Sequence, residues 1–138
     1  LTQIIIPSSM TEIGDSAFIN CTSLAQLTIC SNSIKYGYGI FRGIINLEIK
    51  GSINSIPDNM FYLCISLEKI SLPSSITSIG KSSFEDCINL TEIKIPSSVT
   101  SIGKDAFKSC YSLKKISIPS SIDTSKLGIP ENTIVIKI

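Results

Sequence analysis

The chain repeats itself every 23 residues, and few architectures accommodate that period. Segments 1–23, 67–89 and 90–112 align without gaps, and a further copy begins at Leu113. They share the pattern L-x-x-I-x-I-P-S-S-I-T-x-I-G-x-x-A-F-x-x-C-x-S. A unit this short cannot bury its own apolar face, so the copies must stack, with like residues piled on like. Two columns carry the stack: Leu1, Leu24, Leu47, Leu67, Leu90 and Leu113, and Phe18, Phe41, Phe61, Phe84 and Phe107. Each fully buried side chain of this size is worth roughly 1.5–3 kcal/mol.

The phenylalanines are spaced 23, 20, 23 and 23 residues, so three residues are missing between Phe41 and Ile56. Two alignments accommodate the gap. One matches Ile44-Ile45-Asn46-Leu47 with Cys87-Ile88-Asn89-Leu90 and shortens the strand after Leu47. The other starts a strand at Ile44 and shortens the preceding repeat. We favour the first.

Within each repeat, the L-x-x-I-x-I opening reads as a short strand of branched residues. Pro7, Pro73, Pro96 and Pro119 end it, because proline lacks a ladder donor. The Ser-Ser pair turns the chain, and apolar residues such as Ile76 and Ile79 return it to the core. Gly14, Gly37, Gly80 and Gly103 are expected where φ is positive or backbones crowd. The A-F-x-x-C segment closes the coil as a short helix or turn.

The string I-P-S-S-[IV]-T-S-I-G-x-x-A-F-x-x-C-x-S-L, nearly whole at 72–90 and 95–113, closely resembles the BspA-like class of leucine-rich repeats. The resemblance covers about 1–122. It lapses at 24–56, where Cys30 replaces the proline and Pro57 the glycine. It implies a surface or secreted protein engaged in adhesion or protein recognition, and names no ligand. The expected fold is a right-handed leucine-rich repeat solenoid, α/β or mainly β, with one parallel sheet and short helical segments or turns elsewhere. Residues 1–122 form the array and 123–138 a capping segment, in which Thr133 to Ile138 is a final strand. The first residue is Leu1, not Met, which reads as a mature fragment or a piece of a longer protein.

Composition narrows the function. A net charge of +1 gives no field to draw nucleic acid or an anionic membrane. No apolar run approaches the ~20 residues that span a bilayer. The chain has no histidine, the commonest general base and metal ligand. Its serines belong to the repeat turn and its carboxylates are scattered; Glu85 and Asp86 have Lys108 and Ser109 as counterparts one repeat on. We expect no enzyme, cofactor, metal or small-molecule substrate. Of five cysteines, Cys21, Cys64, Cys87 and Cys110 share one repeat position and Cys30 stands apart. Spacings of 43, 23 and 23 fit no zinc motif, so buried thiols are expected. The sequons Asn20-Cys21-Thr22 and Asn89-Leu90-Thr91 are what chance yields in a Ser/Thr-rich chain.

The candidate site is the outward face of the strands. It comprises Gln3 and Gln26 in the neutral N-terminal half. The charged half supplies Glu68 and Lys69, then Thr91, Glu92 and Lys94, then Lys114 and Lys115. The expected partner is a protein, of host matrix or a cell surface. The alternative is an intracellular scaffold or regulatory subunit using the same surface.

Overall fold

The computed structural model describes residues 1–138 as a stack of coils. The strands, in chain order, are β1 (Gln3–Ile6), β2 (Glu12–Ile13), β3 (Gln26–Ile29), β4 (Lys35–Tyr36), β5 (Asn46–Gly51) and β6 (Ser55–Ile56). There follow β7 (Lys69–Ser71), β8 (Ser78–Ile79), β9 (Glu92–Lys94), β10 (Ser101–Ile102), β11 (Lys115–Ile118) and β12 (Ile134–Lys137). The main sheet is parallel and seven-stranded, in the order β1-β3-β5-β7-β9-β11-β12. The expected single sheet is not the whole of it: β6, β8 and β10 form a second, and β2 and β4 a third. Coils 1 to 5 span 1–23, 24–43, 44–66, 67–89 and 90–112, and coil 6 starts at Leu113.

Alternation sets the strands. Along β11, Ile116 and Ile118 point into the core while Lys115 and Ser117 face out. The prolines lie just past the strands' ends, as their missing donor requires. The phenylalanines stack with ring centroids 5.2–5.7 Å apart. Leu24, Leu67, Leu90 and Leu113 are buried, whereas Leu1 is 75% exposed.

The A-F-x-x-C segment contains no helix, only turns. The reason lies in its hydrogen bonds. Alternate N–H groups (Ser82, Phe84, Asp86) donate to carbonyls of the next coil (Lys104, Ala106, Lys108), which a helix would have kept for itself. Two residues per coil take positive φ to allow this, such as Ser82 (52°) and Asp86 (62°). The repeat glycines do not have positive φ; Gly37, Gly80 and Gly103 are needed for closeness, while a Cβ on Gly14, in the first coil, would meet nothing. A Cβ on Gly103 would lie 2.4 Å from the Lys81 nitrogen, and one on Gly80 2.5 Å from the Asp58 nitrogen.

Cys64, Cys87 and Cys110 are buried and unpaired, Cys21 is half-buried and Cys30 exposed. The Cys87 thiol donates to the Phe61 carbonyl (3.2 Å) and Cys110 to that of Phe84 (3.1 Å). Burial pushes Cys110 up to about 12 and Cys87 well above the usual thiol range.

The short repeat is coil 2, and the favoured alignment needs correction. Leu47 pairs with Ile70, not with the level of Leu67, and β5 is the longest strand rather than a shortened one. Ile44 does two jobs. Its N–H bonds the Phe41 carbonyl as Cys87 bonds Phe84, while Ile45 accepts from Glu68 as Thr2 accepts from Ala25. The three missing residues are therefore the turn between the cysteine and leucine positions. One consequence is a slip in the main sheet. Gln26, third in coil 2, pairs with Glu48, fifth in coil 3. A two-residue slip leaves every side chain on its own face.

Other consequences follow on the far side of the coils. Between coils 3 and 4 five backbone bonds lie outside the main sheet: Asn59, Phe61 and Leu63 to Lys81, Ser83 and Glu85, then Thr77 to Asn54 and Gly80 to Ile56. The junctions of coils 1 with 2 and 4 with 5 have the same five. Between coils 2 and 3 there is none. Pro57 has no N–H to offer Tyr36, and its ring occupies a place where other junctions have no room for a Cβ. Ile40 and Met60 fill the level where Ala17, Ser83 and Ala106 are small. The Phe41 and Phe61 rings are tilted by 32°, against 4–11° elsewhere.

Candidate functional site

Because positions 4 and 6 of each strand face the core, positions 3 and 5 face out. Register aligns them: Gln3 beside Gln26, then Lys69, Glu92 and Lys115 in a row across β7, β9 and β11. Lys94 lies beside Ser117. The two halves of the row do not join directly. At β5, Gln26 meets Glu48 (Nε2 to Oε2, 3.1 Å) while Lys69 meets Asn46.

Glu68, Thr91 and Lys114 sit at the strand entries, one position earlier. They are linked through backbone, Thr91 N–H to the Glu68 carbonyl and Lys114 N–H to that of Thr91. The Thr91 hydroxyl also donates to the Glu68 carbonyl (3.3 Å), so it is committed within the stack.

The outward side chains line an open trough of about 1030 Å³. Of the nine sequence candidates, Glu68, Lys69, Glu92, Lys94 and Lys115 line it; Gln3, Gln26, Thr91 and Lys114 do not. The trough also includes Ser71 and Ser117, which period-2 alternation in the sequence points outward. Asn46 and Glu48 line it too, and the sequence reading left them out because it shortens β5 after Leu47.

Charges along the trough alternate. Glu92 pairs with Lys115 at 3.6 Å and Glu48 with Lys50 at 3.6 Å, all about half exposed. Such pairs contribute about 0–1 kcal/mol. Lys69 and Lys94 belong to no ion pair. The arrangement can offer hydrogen bonds and charge to a partner. No three Cys, Asp or Glu side chains converge to hold a metal. Of the sequons, Asn89 is constrained by its own amide, which donates to the Ile65 carbonyl (2.7 Å), while Asn20 is exposed with φ 59°. No helix is long and apolar enough to cross a membrane.

Known proteins resemble this arrangement. A leucine-rich repeat protein from Bacteroides ovatus matches over 100% of this chain and 42% of its own, with 28% identity and a TM-score of 0.64. A T. pallidum leucine-rich repeat protein matches over 99% and 69%, with 26% identity and a TM-score of 0.71. A leucine-rich cell surface protein from Faecalibacterium prausnitzii is 32% identical over 84% of this chain and 38% of its own, with a TM-score of 0.46. The chain thus spans less than half of the first of these proteins. A search of curated proteins finds no match. The model of the BspA-type leucine-rich repeat region, in six copies, matches residues 1–61 and 54–136. With the stacked columns, the parallel sheet and that match, the chain belongs to the BspA-type leucine-rich repeat family.

Proposed function

We propose that this chain is a non-enzymatic protein-binding module of a cell-surface or secreted adhesion and recognition protein, and that its partner docks on the outward face of the main sheet. One observation carries the reading. The other conserved-period features of the coil, its apolar columns, glycines and turn amides, serve stacking, while the outward strand positions form an open polar trough across successive coils. Extended repeat surfaces of this kind suit recognition of large partners. The resemblance to BspA-like proteins supports the surface setting. A second reading, an intracellular scaffold or regulatory subunit, rests on the five unpaired cysteines, which suit a reducing compartment.

Binding to matrix and cytosolic extracts tests the site and the setting together. A partner held by the wild type should be lost on Lys69→Glu with Lys115→Glu, and its salt dependence should flatten. Lys81→Glu with Lys104→Glu, on the turn side, should leave binding intact. The reverse pattern would move the site to the turn side. A partner found only in cytosolic extract would favour the second reading.

A further inference from the structure

We propose that the junction of coils 2 and 3 is a hinge. Coils 1 and 2 swing as one body on the β3–β5 pair, and the turn side opens. Four features converge there, the first two being aspects of one loss of backbone bonding. The five backbone bonds that close the far side of the neighbouring junctions are all absent. The second layer of strands is interrupted, β4 pairing with β2 and β6 with β8, with no pairing between β4 and β6. The aromatic stack tilts by 32°. The level between the coils is filled by Ile40 and Met60, apolar side chains that bring no hydrogen bond to break.

What remains is one-sided. The β3–β5 register runs over four residue pairs, flanked by Glu48 N–H to the Ala25 carbonyl and Ser52 N–H to that of Ile29. Two side-chain links stand beside it, Asn32 with Ser52 and Asn54, and Gln26 with Glu48. Beyond these, only side-chain packing crosses to the turn side, including the edge contact of Tyr38 with Tyr62. Pairing along one edge and apolar contact along the other is the mechanical form of a hinge. Coils 1 and 2 keep all five of their mutual bonds, so they move together. The trough begins on this strap, at Ala25 on one side and Asn46 and Glu48 on the other, so the swing alters its first end.

Thiol labelling tests the hinge. Met60 and Ala106 are equally buried, at 1% and 0% exposure, on corresponding levels of different coils. In a background with Cys21→Ser and Cys30→Ser, Met60→Cys should react with a thiol reagent about tenfold or more faster than Ala106→Cys, since opening there breaks no backbone bond. Equal rates would overturn the proposal. Hydrogen exchange on the unaltered protein supplies the second arm. The amides of Ser16, Phe18 and Asn20, bonded between coils 1 and 2, should be as protected as those of Ser82, Phe84 and Asp86. If instead they exchange as fast as Gly39, Phe41 and Gly43, the first coils unfold rather than swing, and there is no hinge.

Discussion

The junction of coils 2 and 3 and the junction of coils 4 and 5 solve one problem differently. Both stack phenylalanine on phenylalanine and isoleucine on isoleucine. At the second, backbone meets backbone on every side, glycine lets the coils close, and the rings lie within 4° of parallel. At the first, three deleted residues, a proline and larger side chains confine the backbone bonds to the main sheet and leave side-chain contacts elsewhere. One strand pair with apolar packing is thus sufficient to keep coils in the stack. Backbone bonding is what makes neighbouring coils one rigid body.

Truncating one ring at each junction gives the largest expected effect. Phe84→Ala should destabilise the fold by about 3–5 kcal/mol, seen as a fall of the single thermal transition. Phe41→Ala should instead split the melt. Coils 1 and 2 would go first, because two coils bury too little to stand alone, and the main transition would hardly move. Identical one-step melts for the two variants would erase the distinction between the junctions.

Next in size is the glycine level. Gly103→Ala should cost about 1–3 kcal/mol or more, since its Cβ would lie 2.4 Å from backbone, and urea midpoints would show it. Pro57→Ala, at the same level of the open junction, should change the midpoint little. A large loss from Pro57→Ala would mean that its ring wedges the coils in place.

The thiols sharpen the comparison by chemistry. Cys21 and Cys30, in the first two coils, should label in the native protein, while Cys64, Cys87 and Cys110 should stay protected. The buried group has a pH signature too. With the folded Cys110 near 12 and an unfolded thiol near ~8.5, the native state holds the proton more tightly in between. Stability is therefore full below pH ~8.5 and falls as pH rises towards 12, by about 1.4 kcal/mol per pH unit for each such thiol. Cys110→Ala should shallow that slope in urea titrations; an unchanged slope would place the effect elsewhere.

The smallest effect belongs to the outer edge. Partial burial would raise the Glu85 carboxyl, but hydrogen bonds from Ser82 and Lys108 hold it below the usual range. The Glu85–Lys108 pair at 3.2 Å ties coils 4 and 5. Lys108→Gln should lower stability only slightly, because the lysine is solvent-screened, and by less than any loss expected above. A greater loss would show that charge, not backbone, secures the regular junctions.

How much of this was legible in the sequence depends on what the residues encode. The period and the phenylalanine column disclosed the solenoid, because stacking demands like residues at one level. The place of the deletion was misjudged, with Leu47 put at the level Ile44 holds. Residue type at that column could not separate the options, since Ile44 and Leu47, three residues apart, are both branched aliphatics. Of the helix and the turn that the A-F-x-x-C segment allowed, the turn holds; Asn20, Gly39, Gly43, Asn59, Asp86 and Asp105, types that tolerate positive φ, mark it. Of the five site residues that share the trough, Lys69, Glu92, Lys94 and Lys115 follow from alternation. Glu68 lies one position earlier and still lines it, whereas Thr91 and Lys114, at the same repeat position, do not.

The equal length of coils 4 and 5 bears on how such a gene can change. Recombination between their near-identical stretches would insert or remove one whole layer. Each new rung would meet a carbonyl at the right height, and each new phenylalanine a ring above and below. An exchange that copied coil 2 would copy its deficit, giving the descendant two flexible joints in place of one. Length and stiffness are thus inherited separately: the regular coils are units for growing the array, and the short coil is the unit for bending it.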